Sequence, residues 1–269
     1  MRPNKETAMR THMDSMALLS ALGLFAAGCV MDPDAVVGDH AAELGGGEEA
    51  VGEAEEALQI AWPAAAWHFD VNCNGTTAYD SSGNDLHGAR SGAVSCAAGA
   101  KGGKGLLFNA TNGKVEIADN PALNFTTAMT VSACVRPQSL SSGFILDKWY
   151  SLDSYELGMS SGKFLFSIAF PGGQWGVTKS VAAPASLNVW QHVAGVYDGS
   201  NLLLYVNGSL VASTPASGTL QQSTRPVVLG NHSTATSTSG YNGYLDHVYL
   251  YGRALSAAEI GTLKNECVN

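Results

Sequence analysis

Apolar and polar residues alternate along most of the chain, and this period of two constrains the fold more than any other feature. In "GKVEIA", Val115 and Ile117 alternate with charged neighbours, and in "KFLFSIAF" the side chains of Phe164, Phe166 and Ile168 follow the same rule. Successive side chains of a β-strand point to opposite faces of a sheet, so such runs predict strands with one buried face. Turn signals separate the runs about every ten residues between residue 61 and about residue 263, as is typical of a sandwich or barrel. The pattern therefore predicts an all-β domain over 61–269.

Two local signals predict particular connections. Asn207-Gly208, between "LLLYV" and "SLVAS", predicts a two-residue hairpin because both turn residues must adopt positive φ. Ser256 and Glu259 form a capping-box pattern before Ile260, which predicts one short helix near the C-terminus.

The first 29 residues have the pattern of an export signal. Arg10 and His12 precede the apolar run "MALLSALGLFAAG", which is too short for a permanent membrane span but suits a signal peptide. The run ends at "FAAGC", which resembles the bacterial lipobox and makes Cys29 the expected lipidation site; plain signal cleavage is the alternative. Val30 is not the Asp that favours inner-membrane retention, so we expect an outer-membrane or cell-surface lipoprotein, with a secreted or periplasmic protein as the alternative.

Residues 30–60 are expected to form a disordered acidic tether. The segment carries Asp and Glu but no Lys, Arg or aromatic residue, so it cannot bury enough apolar surface to fold. From residue 61 onward, 8 Asp and 4 Glu face 7 Lys and 4 Arg, so the formal charge of −9 belongs mainly to the tether. Because no basic face is evident, nucleic acid is not an expected partner.

Three stretches carry a family resemblance. "KVEIADNPALNFTTAMTVSACVRP", "NVWQHVAGVYDGSNLLLYVNGSLVAS" and "GYLDHVYLYGRALSAAEI" follow one another in the order and spacing of the LamG-like family, within the concanavalin A-like lectin/glucanase superfamily. "FDVNCNGTTAYDSSGNDLHGA" is similar to the opening segment of that family. The resemblance covers about residues 66 to 264 and implies a jelly roll of two antiparallel sheets, with the first and last strands adjacent.

The loop "YDSSGNDLHG" places several oxygen-bearing side chains around Gly83, as a calcium loop does. Calcium takes roughly six to eight oxygen ligands, so the loop alone is insufficient. The resemblance implies that acids of the first and last strands approach the loop and hold a structural Ca²⁺, with Asp70, Asp80, Asn84 and Asp246 as its ligands. In the alternative, Asp80 forms an Asx-turn and Asp246 pairs with Arg253.

The cysteines after the signal are even in number, which in an exported protein suggests two disulfides. Four cysteines allow three pairings. Cys73 and Cys96 flank the Asp80 loop, which favours their pairing and leaves Cys134 with Cys267. Relatives usually carry Trp at the place of Cys134, so the second disulfide departs from the family pattern. The sequence contains no CxxC, which argues against zinc.

No catalytic motif is evident. Retaining glycosidases need two carboxyl groups about 5 Å apart, and no Glu of the domain has a second acid two or four residues away on an evident strand. The chain also lacks HExxH, and His192 and His247 fit ordinary strand positions. We therefore expect no enzymatic activity.

The expected function is recognition of carbohydrate or glycoconjugate. Protein–protein adhesion or assembly at the cell envelope is the alternative, followed by a glycan-active enzyme. Exposed aromatic rings with nearby polar groups commonly bind sugars, whereas Trp62, Trp67, Trp190, Phe108 and Phe125 are expected to be buried. The candidate ligand-binding residues lie in or beside three loops: Trp149, Tyr150, Asp153, Tyr155, Gln174, Trp175 and His232.

Overall fold

The computed structural model describes residues 63–149, 154–172, 177–232 and 240–268. The expected signal, Cys29, the tether and Trp62 lie outside these residues. Within them, no helix is both long and apolar enough to cross a lipid bilayer.

The described chain forms two antiparallel sheets, each of eight strands. The first sheet has the order β14-β13-β12-β7-β16-β5-β4, with β1 also paired to β16. Its strands are β1 (Ala65–Trp67), β4 (Val94–Ala98), β5 (Lys104–Asn109), β7 (Met129–Pro137), β12 (Gln191–Tyr197), β13 (Asn201–Val206), β14 (Ser209–Pro215) and β16 (Asn242–Tyr251).

The second sheet has the order β11-β10-β9-β8-β15-β6-β3-β2. Its strands are β2 (Thr77–Ala78), β3 (Gly88–Ser91), β6 (Lys114–Ile117), β8 (Gly143–Lys148), β9 (Tyr155–Ser160), β10 (Lys163–Phe170), β11 (Val177–Pro184) and β15 (Val227–Leu229). The predicted all-β sandwich is confirmed.

One apolar core lies between the sheets and explains the alternation in the sequence. Phe164, Phe166 and Ile168 of β10 are fully buried in it, together with Val131 and Val135 of β7. Burying such a side chain contributes roughly 1.5–3 kcal/mol, so the inward parity of each strand is strongly determined. The side chains at the alternate positions of each strand must then point outward.

The first and last strands are neighbours, as the resemblance implied. Ala65 of β1 pairs with Leu250 of β16, and Trp67 pairs with Val248. The ring of Trp67 is fully buried, and its Nε1 donates a 3.0 Å hydrogen bond to the Leu86 carbonyl oxygen. The segment after β1 is thereby held against the sandwich.

A short helix, α1 (Ala257–Lys264), covers part of the outer face of the first sheet. The predicted capping box is present: the Ser256 side chain accepts from the Glu259 N–H, and the Glu259 side chain accepts from the Ser256 N–H. Leu255, Ile260 and Leu263 form a second apolar cluster with outward residues of that sheet. No helix of the described chain covers the second sheet.

The predicted hairpin and both disulfide pairings are confirmed. Asn207 and Gly208 join β13 to β14, and their φ values are 50° and 79°. Cys73 is bonded to Cys96, and Cys134 is bonded to Cys267. Of the aromatic residues expected in the core, Trp67, Phe108 and Phe125 are buried. Trp190 is only half-buried, because it precedes β12 on the outward parity of the sheet.

The two disulfides should differ in their effect on stability. Their sequence separations are 23 and 133 residues, and the chain-entropy model gives losses of about 3 and 5 kcal/mol on their removal. We expect the paired Cys134→Ala, Cys267→Ala variant to be less stable in urea than the Cys73→Ala, Cys96→Ala variant. The opposite order would show that the longer closed loop does not constrain the unfolded chain as this model requires.

Candidate ligand-binding site

A row of polar side chains crosses the outer face of the second sheet. Strand register places Glu116 of β6 opposite Val228, and Val228 opposite Asp147 of β8. The row continues from Asp147 to Glu156 of β9 and then to Ser167 of β10. Each residue of the row occupies an outward-facing position of its strand. Burial of the neighbouring side chains in the core therefore determines which residues belong to this row.

Asp147 and Glu156 lie directly opposite each other on neighbouring strands. Opposed Cβ atoms of an antiparallel pair are roughly 4.5–5.5 Å apart, so two acids share one small area. Glu156 Oε1 accepts a 3.0 Å hydrogen bond from Ser167 Oγ, and the Ser167 and Ser180 hydroxyls are 2.9 Å apart. Burial raises the pKa of Glu156 and outweighs the opposing effect of the Ser167 hydrogen bond.

The sequence alone did not reveal this acidic pair. Acids two or four residues apart on one strand share a face, whereas Asp147 and Glu156 come from two strands of a hairpin. The register shift between Phe144 and Leu146 lies farther from the turn than Asp147, so counting back from the turn gives the observed pairing. Prediction of the hairpin that joins β8 to β9 is the signal that would have found the pair.

A cavity of about 200 Å³ lies beside Glu156 on the same face. Phe144 and Leu165 supply apolar area, while Ser142 and Ser160 supply hydroxyl groups. The cavity is below the roughly 300–1,000 Å³ typical for drug-sized ligands, so it suits one small ring rather than a long chain.

Backbone contacts and an imidazole shape the rim of this cavity. A Cβ on Gly143 would lie 2.9 Å from the Gly240 carbonyl oxygen, so only glycine allows the chain after the β15 loop to approach β8 this closely. The His232 ring meets Phe144 edge-on, with ring centroids 4.8 Å apart. Burial, followed by the charge of Arg225, lowers the pKa of His232.

The three predicted ligand-binding residues that the structure describes do not form one patch. Tyr155 is fully buried, and its hydroxyl donates a 3.1 Å hydrogen bond to the Leu123 carbonyl oxygen. The prediction that Tyr155 is exposed is therefore wrong, because this residue occupies an inward-facing position of β9. Trp149 is half-buried and follows the end of β8, whereas His232 contacts Phe144 near the start of the same strand. At 3.3 Å per residue, Phe144 and Trp149 are roughly 17 Å apart along the strand. Tyr150, Asp153, Gln174 and Trp175 lie outside the described residues.

The Asp80 carboxylate organises the loop through four hydrogen bonds. Oδ1 accepts from the Ala66 and Ser82 N–H groups, and Oδ2 accepts from the Leu86 N–H and the Ser82 hydroxyl, at 2.8–3.0 Å. The Ser82 contact is the Asx-turn of the alternative interpretation. Burial alone would raise the pKa of Asp80, but these hydrogen bonds outweigh it and lower the pKa.

The other expected calcium ligands are bonded elsewhere. Asp70 Oδ1 accepts from the Lys104 N–H at 2.7 Å, and Asn84 donates to the Ala64 carbonyl oxygen. Asp246 accepts from the Ala100 and His247 N–H groups. The proposed pairing of Asp246 with Arg253 is wrong too, because Arg253 is 2.6 Å from Glu259.

The described residues do not fit the expected calcium site. They contain no group of three or more His, Cys, Asp or Glu side chains placed to hold a metal ion. Calcium requires free oxygen lone pairs, whereas the Asp80 oxygens already accept from four donors. The described chain does not bring Asp70, Asp80 and Asp246 into one such group. Asp80 stabilises the loop through its hydrogen bonds, and calcium binding stays a prediction.

Calcium should therefore leave the stability of the domain unchanged. We expect the same melting temperature in excess EDTA and in millimolar Ca²⁺, measured by differential scanning fluorimetry and by near-ultraviolet circular dichroism. A clear upward shift on adding Ca²⁺, absent with Mg²⁺, would contradict this expectation and restore the calcium interpretation.

Removing the Asp80 carboxylate should destabilise the domain strongly. Asp80→Ala leaves the buried Ala66 and Leu86 N–H groups without acceptors, at an expected total cost of about 2–4 kcal/mol in urea unfolding. Asp85→Asn is the matched control, because Asp85 is exposed in the same loop. The pKa of Asp80 is lowered on folding. Its contribution to the free energy of unfolding is therefore fully present above the unfolded-state pKa and is lost as the pH falls through the folded-state pKa. Equal stability of the two variants would contradict the role of Asp80.

Comparison with known proteins points to one superfamily. A family model described as the concanavalin A-like lectin/glucanases superfamily matches residues 109–261. No curated protein sequence matches the chain.

Solved structures with similar folds include clostridial toxin domains. The binding domain of Paraclostridial Mosquitocidal Protein 1 has a TM-score of 0.61 and 17% identity, covering 77% of this chain and 52% of that one. Botulinum neurotoxin type C, whose cell entry is described as dependent upon interaction with two ganglioside molecules, has a TM-score of 0.63 and 16% identity, covering 79% and 53%. The binding domain of botulinum neurotoxin DC in complex with rat synaptotagmin II has a TM-score of 0.59 and 15% identity, covering 78% and 53%. At these identities the likeness shows the fold, and the present chain spans about half the length of those chains.

Proposed function

The chain belongs to the concanavalin A-like lectin/glucanases superfamily, and we propose that its folded part is a non-catalytic module that binds carbohydrate or glycoconjugate. The observation that carries this proposal is the cavity beside Phe144 and Glu156 on the outer face of the second sheet. Apolar ring area beside a carboxyl group and two serine hydroxyls suits a sugar residue, which has an apolar ring face and a hydroxylated edge.

The similar toxin structures support a binding role. Two of them are binding domains, and a third is described through its interaction with gangliosides. Because they share only the fold with this chain, the ligand must be inferred from the residues of its own cavity.

The buried position of Asp147 argues against glycoside hydrolysis. A glycosidase needs two carboxyl groups that both reach the scissile bond or its water. Asp147 has no exposed surface and Glu156 is half-buried, so at most one acid of the pair can meet a substrate. In our proposal Glu156 is a hydrogen-bonding group rather than a catalytic acid.

Protein adhesion is the second candidate function. Leu210 and Val211 lie on β14, an edge strand of the first sheet, and are 52% and 48% exposed. Exposed apolar side chains on an edge strand provide a surface that another protein can pair with or cover. The complex of a neighbouring fold with rat synaptotagmin II is consistent with this use of the architecture.

We further propose that the domain is exported and is anchored through Cys29, with 30–60 as its tether. The two disulfides support this location, because such bonds persist in oxidising compartments. Anchoring at the outer membrane or cell surface follows from the signal pattern and from Val30.

Glycan binding at the cavity can be tested with two variants and one control. We expect Phe144→Ala and Glu156→Gln each to weaken binding of the best ligand from a glycan array by about tenfold, equivalent to 1.4 kcal/mol. Leu210→Ala lies on the other sheet and should leave that affinity unchanged. Isothermal titration calorimetry measures the affinities, and a thermal melt checks that each variant is folded.

Three outcomes would contradict the proposed function or its site. Absence of glycan binding by the wild-type domain would reject carbohydrate recognition, and loss of protein binding in Leu210→Ala would then favour adhesion. Unchanged glycan affinity in both cavity variants would remove this cavity as the site. Release of shortened glycans by the wild type but not by Glu156→Gln would make the protein an enzyme.

A further inference from the structure

We propose that Arg136, Trp190 and Tyr244 form a second ligand site, on the outer face of the first sheet, that binds the carboxylate of an acidic sugar residue. This inference rests on the proposed function, since it assumes that the ligand is a glycan. These three residues are called the arginine platform below.

Strand register brings the three side chains of the arginine platform together. Tyr244 of β16 pairs with Arg136 of β7, and Gln191 of β12 pairs with Val135. Trp190, one residue before Gln191, is therefore next to Arg136 on the far side of β7. All three have the outward parity of the first sheet, because their neighbours Val135 and Leu245 lie in the core.

The rings and the guanidinium group are in direct contact. The Arg136 Cζ atom lies 4.8 Å from the centroid of the Tyr244 ring, and the Trp190 and Tyr244 centroids are 6.1 Å apart at 60°. The three side chains are half-buried, so each keeps a surface that a ligand can reach. A guanidinium group stacked on an aromatic ring is held in one orientation, which reduces the entropy lost when it binds a ligand.

The charge of Arg136 is not neutralised by any described residue. Its guanidinium group makes no hydrogen bond or ion pair within the described chain, and its Nε is buried without an acceptor. By contrast, Arg253 pairs with Glu259, and Arg90 donates to backbone carbonyl oxygens. Asp246, two residues after Tyr244 on β16, accepts from the Ala100 and His247 N–H groups instead. A buried donor without a partner is costly, and an incoming anion can reduce that cost.

A carboxylate on a sugar ring matches this arrangement. The planar guanidinium fork donates two parallel hydrogen bonds to a carboxylate, and the indole of Trp190 provides a face for the pyranose ring. A sulfated sugar shares the negative charge but has a tetrahedral anionic group, so the two can be compared experimentally. The cavity on the second sheet contains Glu156 and therefore suits neutral sugars better.

Matched ligands provide the test. The probes are an oligosaccharide that contains uronic acid, its carboxyl-reduced neutral form and a sulfated form of the neutral chain, each titrated against the full domain by calorimetry. We expect the acidic form to bind at least tenfold more tightly than the neutral form at low salt. This advantage should shrink at high salt, because the charges are partly solvent-exposed.

Variants locate the effect on the platform. Arg136→Gln should abolish the preference for the acidic form, and Arg136→Lys should restore only part of it because lysine lacks the planar fork. Trp190→Ala should weaken the acidic and neutral forms alike. Lys163→Gln is the matched control, since Lys163 is an exposed cation on the second sheet, and it should leave the preference intact. Thermal melts show whether each variant is folded.

The outcomes separate this inference from the proposed function. Glycan binding with no preference for the acidic form, or a preference that survives in folded Arg136→Gln, overturns the platform while leaving carbohydrate recognition in place. A stronger preference for the sulfated form rejects the carboxylate assignment. No binding of any glycan, or binding only of a protein through Trp190, overturns both.

Discussion

Burial of one parity of side chains between two sheets is the constraint on which the rest of this structure depends. Phe164, Phe166 and Ile168 face the core, so Leu165 and Ser167 must face outward. The same rule places Glu156 on one outer face and Arg136 on the other. Because the core carries most of the folding free energy, the outward positions can hold polar groups that packing does not require. Both proposed binding surfaces consist of such outward residues.

The loop before β3 shows how a buried carboxylate supports the fold. Asp80 satisfies N–H groups on both the first strand and the loop itself, through Ala66 and Leu86. These donors stabilise the carboxylate charge, and the lowered pKa of Asp80 is the electrostatic consequence. Cys73–Cys96 closes the surrounding segment covalently. Hydrogen bonds and a disulfide therefore both stabilise the loop.

Periodicity and local motifs predicted the fold well because both depend on near neighbours in the chain. The Asn207-Gly208 hairpin, the Ser256 capping box and the inward parity of Val115 and Ile117 follow from short sequence windows. The disulfide pairing of Cys134 with Cys267 spans 133 residues, and elimination predicted it only after Cys73 had been assigned to Cys96.

The site was predicted poorly because it depends on register between strands. In the sequence Tyr155 resembles an exposed aromatic residue of a loop. In the structure it occupies an inward-facing position of β9, so its ring lies in the core beside Phe125. Asp147 lies opposite Glu156 because β8 and β9 pair as a hairpin, and that pairing is not evident from the alternation of either strand alone. Trp190 was expected in the core because aromatic residues are usually buried, but its register opposite Arg136 turns it outward.

The two outer faces differ in charge, and this difference has a functional consequence. Glu156 lines the cavity on the second sheet, whereas the first sheet presents the cation of Arg136. In our two proposals, a neutral sugar avoids repulsion at Glu156, while an acidic sugar gains an ion pair at Arg136. The sandwich separates these faces by its apolar core, so occupation of one need not disturb the other. If both proposed sites bind sugars, a glycan that carries neutral and acidic residues would join two copies of the domain, each through a different face.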